Sequence, residues 1–373
     1  MRQIIKKGSN NMSEIRIATI GVGNCTNSLV QGTYYYKGLK VKKGEIVPGL
    51  MHPDLGGYKV SDIKVVVAFD VDARKVGKDL AEAIWSKPNC TAKFYDVPRT
   101  GVKVLMGPVM DGVTEHLKHY VQVSDAKPID KVDEVARIFK DAKVDVVVNN
   151  LPTASEKATW FYLEAALKAG CGIVNGIPVL AANNKEFAAR AEKVKVPIVG
   201  DDYKSQLGGT VLDRDLLRMC VQRGIKINKS YQLNYGGNTD FWNLTDWQRG
   251  RTKHASKKRG VDAVMPYAAP FSVNVSQLEV LDDDKICRIE IWGENFGGTP
   301  ISLEAKLRVV DSCNSGGVIV DGIRCCKLAL DRGIGGVLES ASAYLSKSAP
   351  IQYASEDEAR EAMDEFIAGK RTK

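Results

Sequence analysis

The chain has 373 residues, 44% of them hydrophobic and 26% charged; this is too long for one hydrophobic core and excludes a disordered or fibrous protein, so two globular domains are expected. The net charge of +8 does not mark a nucleic-acid-binding face, because Arg2, Lys6 and Lys7 at one end and Lys370, Arg371 and Lys373 at the other supply most of the excess. No apolar run approaches the roughly 18 residues of a membrane span, and eight cysteines scattered without a Cys-x-x-Cys pair read as buried thiols of a reducing, cytoplasmic compartment.

The N-terminus lacks the apolar block of a signal peptide, and Met12 is a candidate start, which leaves residues 1–11 as a loose extension. Residues 15–20 form a short β-branched strand that runs into Gly21-Val-Gly23-Asn24-Cys-Thr-Asn-Ser28. A strand, a glycine turn and a helix N-terminus together cradle a pyrophosphate. Thr26 takes the place of the third glycine of that fingerprint, so a plain tight turn is the competing reading. Residues 64–69 make a second strand ending at Asp70, whose carboxylate can accept hydrogen bonds from an adenosine ribose; a solvated strand-end acid is the alternative. An acid there, with Arg74 one turn on, favours NAD over NADP. The gap from Gly23 to Asp70 is more than twice the usual spacing of about 20 residues, so residues 33–62 are read as an insertion.

Residues 75–143 alternate helical and extended patterns. A buried strand at 144–150 is followed by Leu151-Pro152-Thr153 and by a helix carrying Trp160, Leu163, Ala166 and Leu167 that stops at Gly170. Strand ends recur at 173–178 and 196–200. Five strands separated by helices predict an α/β fold with a Rossmann-like, doubly wound parallel sheet. Ligands bind at the carboxyl ends of such strands, where Gly21, Asp70, Asn150, Asn175 and Asp201 fall. Beyond residue 210 the pattern alternates at 225–234, 271–281, 287–292 and 301–310, as in a mostly antiparallel α+β domain. Residues 316–331 then read as a helix that returns to the first domain. The expected division is 12–204 with 311–373 for one domain and 205–310 for the other.

The densest chemistry lies between residues 200 and 259. Gly208-Gly209 and Gly236-Gly237 leave backbone N–H groups open to an anion, and residues 249–259 hold six Lys or Arg and no acid. Such density suits a phosphorylated substrate that develops charge as it reacts. If 253–257 is helical, Lys253 and Lys257 share a face one turn apart, and two ammonium groups so placed lower each other's pKa. A solvated cationic face is the competing reading. Elsewhere the local sequence is bland. Lys285 follows Asp282, Asp283 and Asp284 and reads as a hairpin turn, Asp311-Ser312 reads as a helix cap, Lys347 carries no local signal, and His254 reads as a bystander.

Taken together, the strings Gly-Val-Gly-Asn-Cys (21–25), Ala-Phe-Asp-Val-Asp (68–72), Gly-Asp-Asp-Tyr-Lys-Ser-Gln (200–206), Leu-Asn-Tyr-Gly-Gly-Asn-Thr-Asp-Phe (233–241), Asp-Ser-Cys-Asn-Ser-Gly-Gly (311–317) and Lys-Leu-Ala-Leu-Asp-Arg-Gly (327–333) resemble the myo-inositol-1-phosphate synthase family, in its compact archaeal and actinobacterial form. The likeness runs from about residue 15 to the end. It implies an NAD-dependent isomerase of inositol and phospholipid biosynthesis. Such an enzyme oxidises C5 of open-chain glucose 6-phosphate, enolises toward C6, closes the ring on C1 and reduces C5 again.

By motif, the resemblance places Lys253, Lys257, Lys285 and Lys347 around the substrate with Asp202, Asp240 and Asp311 as acidic partners. It implies Ser205, Gln206, Gly237, Asn238 and Lys253 for the phosphate, and Gly21, Gly23, Asn24, Asp70, Asn150, Thr153, Ser155, Asn175, Asp201 and Ser312 for NAD. It makes 12–204 with 311–373 the NAD-binding domain and 205–310 the catalytic domain of a homotetramer. Many members of the family use a divalent cation, whose ligands the sequence does not place.

Three stretches depart from the family pattern: Leu-Pro-Thr-Ala-Ser at 151–155, Ser-Gln-Leu-Gly-Gly-Thr at 205–210 and Met-Pro-Tyr-Ala-Ala-Pro-Phe at 265–271. Because the departures border the reacting carbons, a related cyclase acting on fructose 6-phosphate or another ketose phosphate to give a five-membered ring is the alternative. A silent sensor of sugar phosphate or NAD is a third reading, opposed by the lysines, since binding alone needs only the phosphate contacts.

Overall fold

The computed structural model describes residues 14–42 and 44–373, without the side chains of 252–256; the Met12 start and the 1–11 extension lie outside the described residues. In chain order β1 (Ile15–Ile20), α1 (Asn24–Tyr35), β2 (Ile63–Asp70), α2 (Leu80–Ala83), β3 (Val104–Met106), α3 (Val132–Asp141), β4 (Val146–Asn149), α4 (Glu156–Ala169), β5 (Gly172–Asn175), α5 (Lys185–Lys193) and β6 (Pro197–Val199) come first. Then follow α6 (Gly209–Gln222), β7 (Lys226–Gly236), α7 (Thr239–Thr245), α8 (Trp247–Asp262), β8 (Phe271–Gln277), β9 (Asp284–Glu294) and β10 (Pro300–Val310). The chain closes with α9 (Cys313–Asp331), β11 (Gly336–Val337), α10 (Glu339–Leu345) and α11 (Glu356–Ile367).

The β-branched runs of the first half are buried on both faces, as a parallel sheet requires. Val146, Val148, Val174 and Val199 point into a core with Leu29 and Val30 of α1, Ile319 and Ile323 of α9 and Phe366 of α11. Their neighbours Val147, Ile173 and Ile198 point the other way, onto Phe139, Phe161, Leu163 and Phe187 of α3 to α5. The resulting sheet is parallel throughout, in the order β11-β6-β5-β4-β1-β2-β3. It has seven strands where the sequence predicts five; β3 and β11, of 3 and 2 residues, are too short to show a period. The strand order reverses between β1 and β4, which opens a crevice at their carboxyl ends.

The second sheet, in the order β10-β9-β7-β8, is mixed. Its β7/β9 and β9/β10 ladders are antiparallel, whereas β8 runs parallel to β7, which corrects the antiparallel reading of 271–281. The helical crossover α7–α8 between the two strands is what makes parallel pairing reachable, and the strand stops at Gln277. One face of the sheet, with Cys287, Ile289 and Ile291, is covered by Leu217 and Cys220 of α6 and Val261 of α8.

The insertion between α1 and β2 is tied down by buried charge. Arg324 of α9, fully buried, pairs with Asp321 and donates to the backbone carbonyls of His52 and Tyr58 at 2.8 and 3.1 Å. His52 bridges Asp321 and Asp364 at 2.5 and 2.9 Å. Burial alone would lower the His52 pKa, but hydrogen bonds and charge from the two aspartates outweigh it and raise the pKa above the ordinary histidine value. The network's stability is therefore complete below about pH 6.5 and is lost as pH rises through the raised His52 pKa. Thermal melts should show wild type well above His52→Gln at pH 6, with the gap closing in alkaline buffer; a gap independent of pH contradicts the pairing. Arg324→Leu, which leaves buried Asp321 with His52 as its one charged partner among the described residues, should cost about 3–5 kcal/mol.

Candidate active site

The crevice at β1, β2 and β4 continues as a cleft to the end of the second sheet. Gly21, Gly23, Asn24, Asp70, Asn150, Thr153 and Ser312 line it together with Asp202, Ser205, Asn238, Asp240, Lys257, Lys285, Asp311 and Lys347. The register of the second sheet explains part of this convergence. Lys285 pairs with Gly236 on β7 and Val309 on β10, so the residues that follow those strands, Asn238 and Asp311, flank it. Lys285 is thus the second residue of a strand, which corrects its reading as a hairpin turn. Its Nζ lies 3.0 Å from Asp311 and 5.6 Å from the centre of the Phe241 ring. Lys347, after α10, lies 3.0 Å from Asp202. Lys257 is on α8, whose helix also carries Lys253; the side chains of Lys253 and His254 fall outside the described residues.

Among the expected residues whose side chains are described, five are not in the cleft wall. Asn175 and Asp201 are fully buried and bond to each other at 2.7 Å. Burial pushes the Asp201 carboxyl up to about 7, against the hydrogen bonds it accepts from Asn175, Ala182 and Asn183. Ser155 donates to Pro152 O at 2.7 Å and accepts from Arg249. Gln206 packs against Gly317, and Gly237 passes so close to Asp282 that a Cβ would sit 2.4 Å from its nitrogen. These residues support the wall from behind. Ser312, expected to cap α9, makes no side-chain cap; its hydroxyl turns to Asp283 instead.

The sequence reading missed Asp283. It is 3% exposed, bonds Ser312 and accepts from Asn238 at 3.1 Å and Asn24 at 3.4 Å, so it joins the second sheet to the first turn of α1. Burial pushes its carboxyl up to about 6, a shift that the Ser312 and Asn238 hydrogen bonds oppose and the charge of Asp311 reinforces. Its only signal in the sequence is a run of three aspartates, which looks like a solvated turn. Lys75, 4% exposed, was missed as well; it donates to Asn89 at 2.9 Å and faces Asp70 at 3.8 Å.

The first half of the cleft fits a dinucleotide. Gly21 has φ +91°, and a Cβ there would meet Asn150 O at 2.7 Å, so only glycine lets the turn pass. The helix that follows starts at Gly23 with no side-chain cap, leaving its N-terminal amides for an anion. Asp70 accepts from Val22 N at 2.7 Å, and Asn150 keeps one amide oxygen buried and unpaired. Among the described residues no three His, Cys, Asp or Glu side chains gather as metal ligands, and no ligand set is assigned to the cation that many family members use.

Sheet order, glycine turn and strand-end acid define a Rossmann-type dinucleotide-binding fold whose second sheet delivers the Lys285–Asp311 pair to the same cleft. Comparison with known proteins agrees. The sequence model of the family described as "Myo-inositol-1-phosphate synthase" matches residues 208–312. The inositol-3-phosphate synthase of Corynebacterium glutamicum is 46% identical over 365 residues, covering 95% of this chain and 98% of that protein. Among solved structures, the protein Ari2 superposes with a TM-score of 0.79 at 32% identity, covering 96% of this chain and 99% of that one. A myo-inositol-1-phosphate synthase-related protein from Thermotoga maritima superposes with the same score at 25% identity, covering 95% and 98%. The chain belongs to the myo-inositol-1-phosphate synthase family. No helix among the described residues is long and apolar enough to cross a membrane.

Gly21→Ala should weaken NAD binding by at least tenfold in a fluorescence titration while leaving the far-ultraviolet circular dichroism unchanged. Undiminished affinity would remove the glycine turn from the cofactor site.

Proposed function

We propose that the protein is an NAD-dependent isomerase that converts D-glucose 6-phosphate to 1L-myo-inositol 1-phosphate by intramolecular aldol closure. The carrying observation is that Lys257, Lys285 and Lys347 share a cleft with the glycine turn of the dinucleotide fold, and that two of them are paired with Asp311 and Asp202. A binding protein would need the phosphate contacts but not amines spread along the substrate.

NAD, when bound in the cleft at Gly21, Gly23 and Asp70, would supply the hydride acceptor for oxidation at C5 and the hydride for its re-reduction. The protein's own groups do the rest. Ser205, Asn238 and Lys253 hold the phosphate, with Gln206 and Gly237 behind them and the N-terminus of α6 at Gly208 and Gly209 beside them. The C5 ketone acidifies the C6 protons, and a neighbouring amine removes one. Ammonium groups then hold the enolate, and the alkoxide formed as C6 attacks C1, where preorganised charge counts most. Asp202, Asp240 and Asp311 fix the amines and balance their charge. Thr153, at a position where the sequence departs from the family pattern, donates to Asp240 Oδ1 at 3.0 Å and so limits how that acid can turn toward substrate. Residues 12–204 with 311–373 form the cofactor domain, and 205–310 form the catalytic domain through which a homotetramer assembles.

Purified protein incubated with NAD and either glucose 6-phosphate or fructose 6-phosphate, with products followed by phosphorus and carbon NMR, decides the reading. Inositol phosphate from glucose 6-phosphate is expected. Consumption of the ketose alone would move the assignment to a five-membered ring, and turnover of neither would leave a sensor. Lys257→Ala should lower turnover by more than a hundredfold with NAD affinity intact; unchanged turnover would take that amine out of the chemistry.

A further inference from the structure

Lys257 differs from the other amines of the cleft in what lies behind it. It is 7% exposed and belongs to α8, which packs on α6. On α6 sits Asp213, 0% exposed. Asp213 Oδ2 accepts from Gln232 Nε2 at 3.1 Å, while Oδ1 is buried without a hydrogen-bond partner. Gln232 is itself held in place. It donates to Gly209 O and accepts from Asn234 Nδ2, each at 3.0 Å. Burial pushes the Asp213 carboxyl up to about 7, against the opposing pull of the Gln232 donor and the charge of Lys257.

The other groups near this pair do not satisfy Asp213. Arg214, its neighbour on α6, turns away to Gly260 O, Tyr353 O and Glu356. Cys287 of β9 faces the pair; burial raises its thiol pKa, while Lys257 and Lys285 oppose the rise. A buried acid with one amide donor is an arrangement that packing does not call for, since an apolar side chain would fill the space without desolvating a charge. The observation is explained if the acid serves the amine on the helix packed against it, whose charge it feels.

We propose that Asp213, which does not line the cleft, is the positioning residue of Lys257, fixing the amine at the cleft wall and forming with it a buried pair that titrates as one unit. The inference rests on the reading of Lys257 as a reacting amine. With the shared proton on Nζ, the pair is ammonium and carboxylate, and Lys257 can hold an enolate. With the proton on Asp213, the pair is amine and carboxylic acid. Nζ then has a lone pair for the C6 proton; the C6–H electrons pass into the enolate, and Lys257 becomes an ammonium.

Asp213→Asn keeps the size of the side chain and removes its charge. In the full-length protein with NAD and the hexose phosphate that wild type consumes, kcat should fall by at least tenfold with KM changed less than about threefold. The acid limb of the kcat profile should move about one unit to lower pH, because Lys257 loses a neighbouring negative charge. Unchanged NAD affinity confirms that the variant is folded. An unaltered kcat and an unmoved limb would overturn the proposal, as would a loss confined to KM.

A second measurement needs no change at position 213. Infrared spectra of wild type should show a protonated-carboxyl band that titrates near neutral pH, and in Lys257→Met part of that band should persist to higher pH. Identical titrations in the two proteins would overturn the pair. Should wild type consume no hexose phosphate, the functional reading fails while the infrared titration still decides whether Asp213 and Lys257 are coupled.

Discussion

The site depends on a buried carboxylate that holds two sheets in register. Asp283 precedes β9 and takes hydrogen bonds from Ser312, Asn238 and Asn24, which come from the end of β10, the end of β7 and the first turn of α1. That junction, with the Thr153–Asp240 and Arg249–Ser155 bonds, fixes the separation between the cofactor cradle of the first sheet and Lys285 on the second. Catalysis that works by charge placed in advance requires such fixing, because an error of an ångström forfeits most of the effect.

The arrangement carries a cost that the rest of the molecule offsets. Asp283, Asp201 and Asp213 are each pushed toward neutral pH by burial, so each opposes folding when ionised. Against them stand two continuous apolar cores on the faces of the parallel sheet and a third beneath α6 and α8. Strained or desolvated polar groups gathered at one end of well-packed sheets are the usual sign of a functional site. At the opposite corner the same logic serves structure, where Arg324, Asp321 and His52 fasten the insertion onto α9 and α11.

The fold was legible where the chain is periodic or punctuated. The β-branched runs of β1, β2, β4 and β5 gave a parallel sheet, and Gly170 closes α4 in a left-handed conformation as expected of a glycine at that point. What escaped was set by tertiary context. The strands β3 and β11 are shorter than any period, and β8 shows its alternation but not its direction, which the helices α7 and α8 dictate. In the site, the first two glycines and Asp70 were legible from their places at strand ends, although their spacing departs from the usual fingerprint. Lys285 and Lys347 did not, since a lysine beside aspartates or serines looks like surface, and only the family resemblance raised them. Asp283 and Asp213 were missed because burial, the property that makes them unusual, is invisible in a local window.

The central claim is that one cleft brings the nicotinamide ring and the amines of Lys257, Lys285 and Lys347 to the same substrate carbons. A crystal structure with NAD and a hexitol 6-phosphate, which lacks the aldehyde and cannot cyclise, tests it most directly. The account places the hexitol C5 against the nicotinamide, the phosphate at the start of α6, and the three amines within about 3 Å of the C1 and C5 oxygens or of C6. A hexitol bound away from the nicotinamide, or amines turned out of the cleft with the cofactor in place, would contradict it.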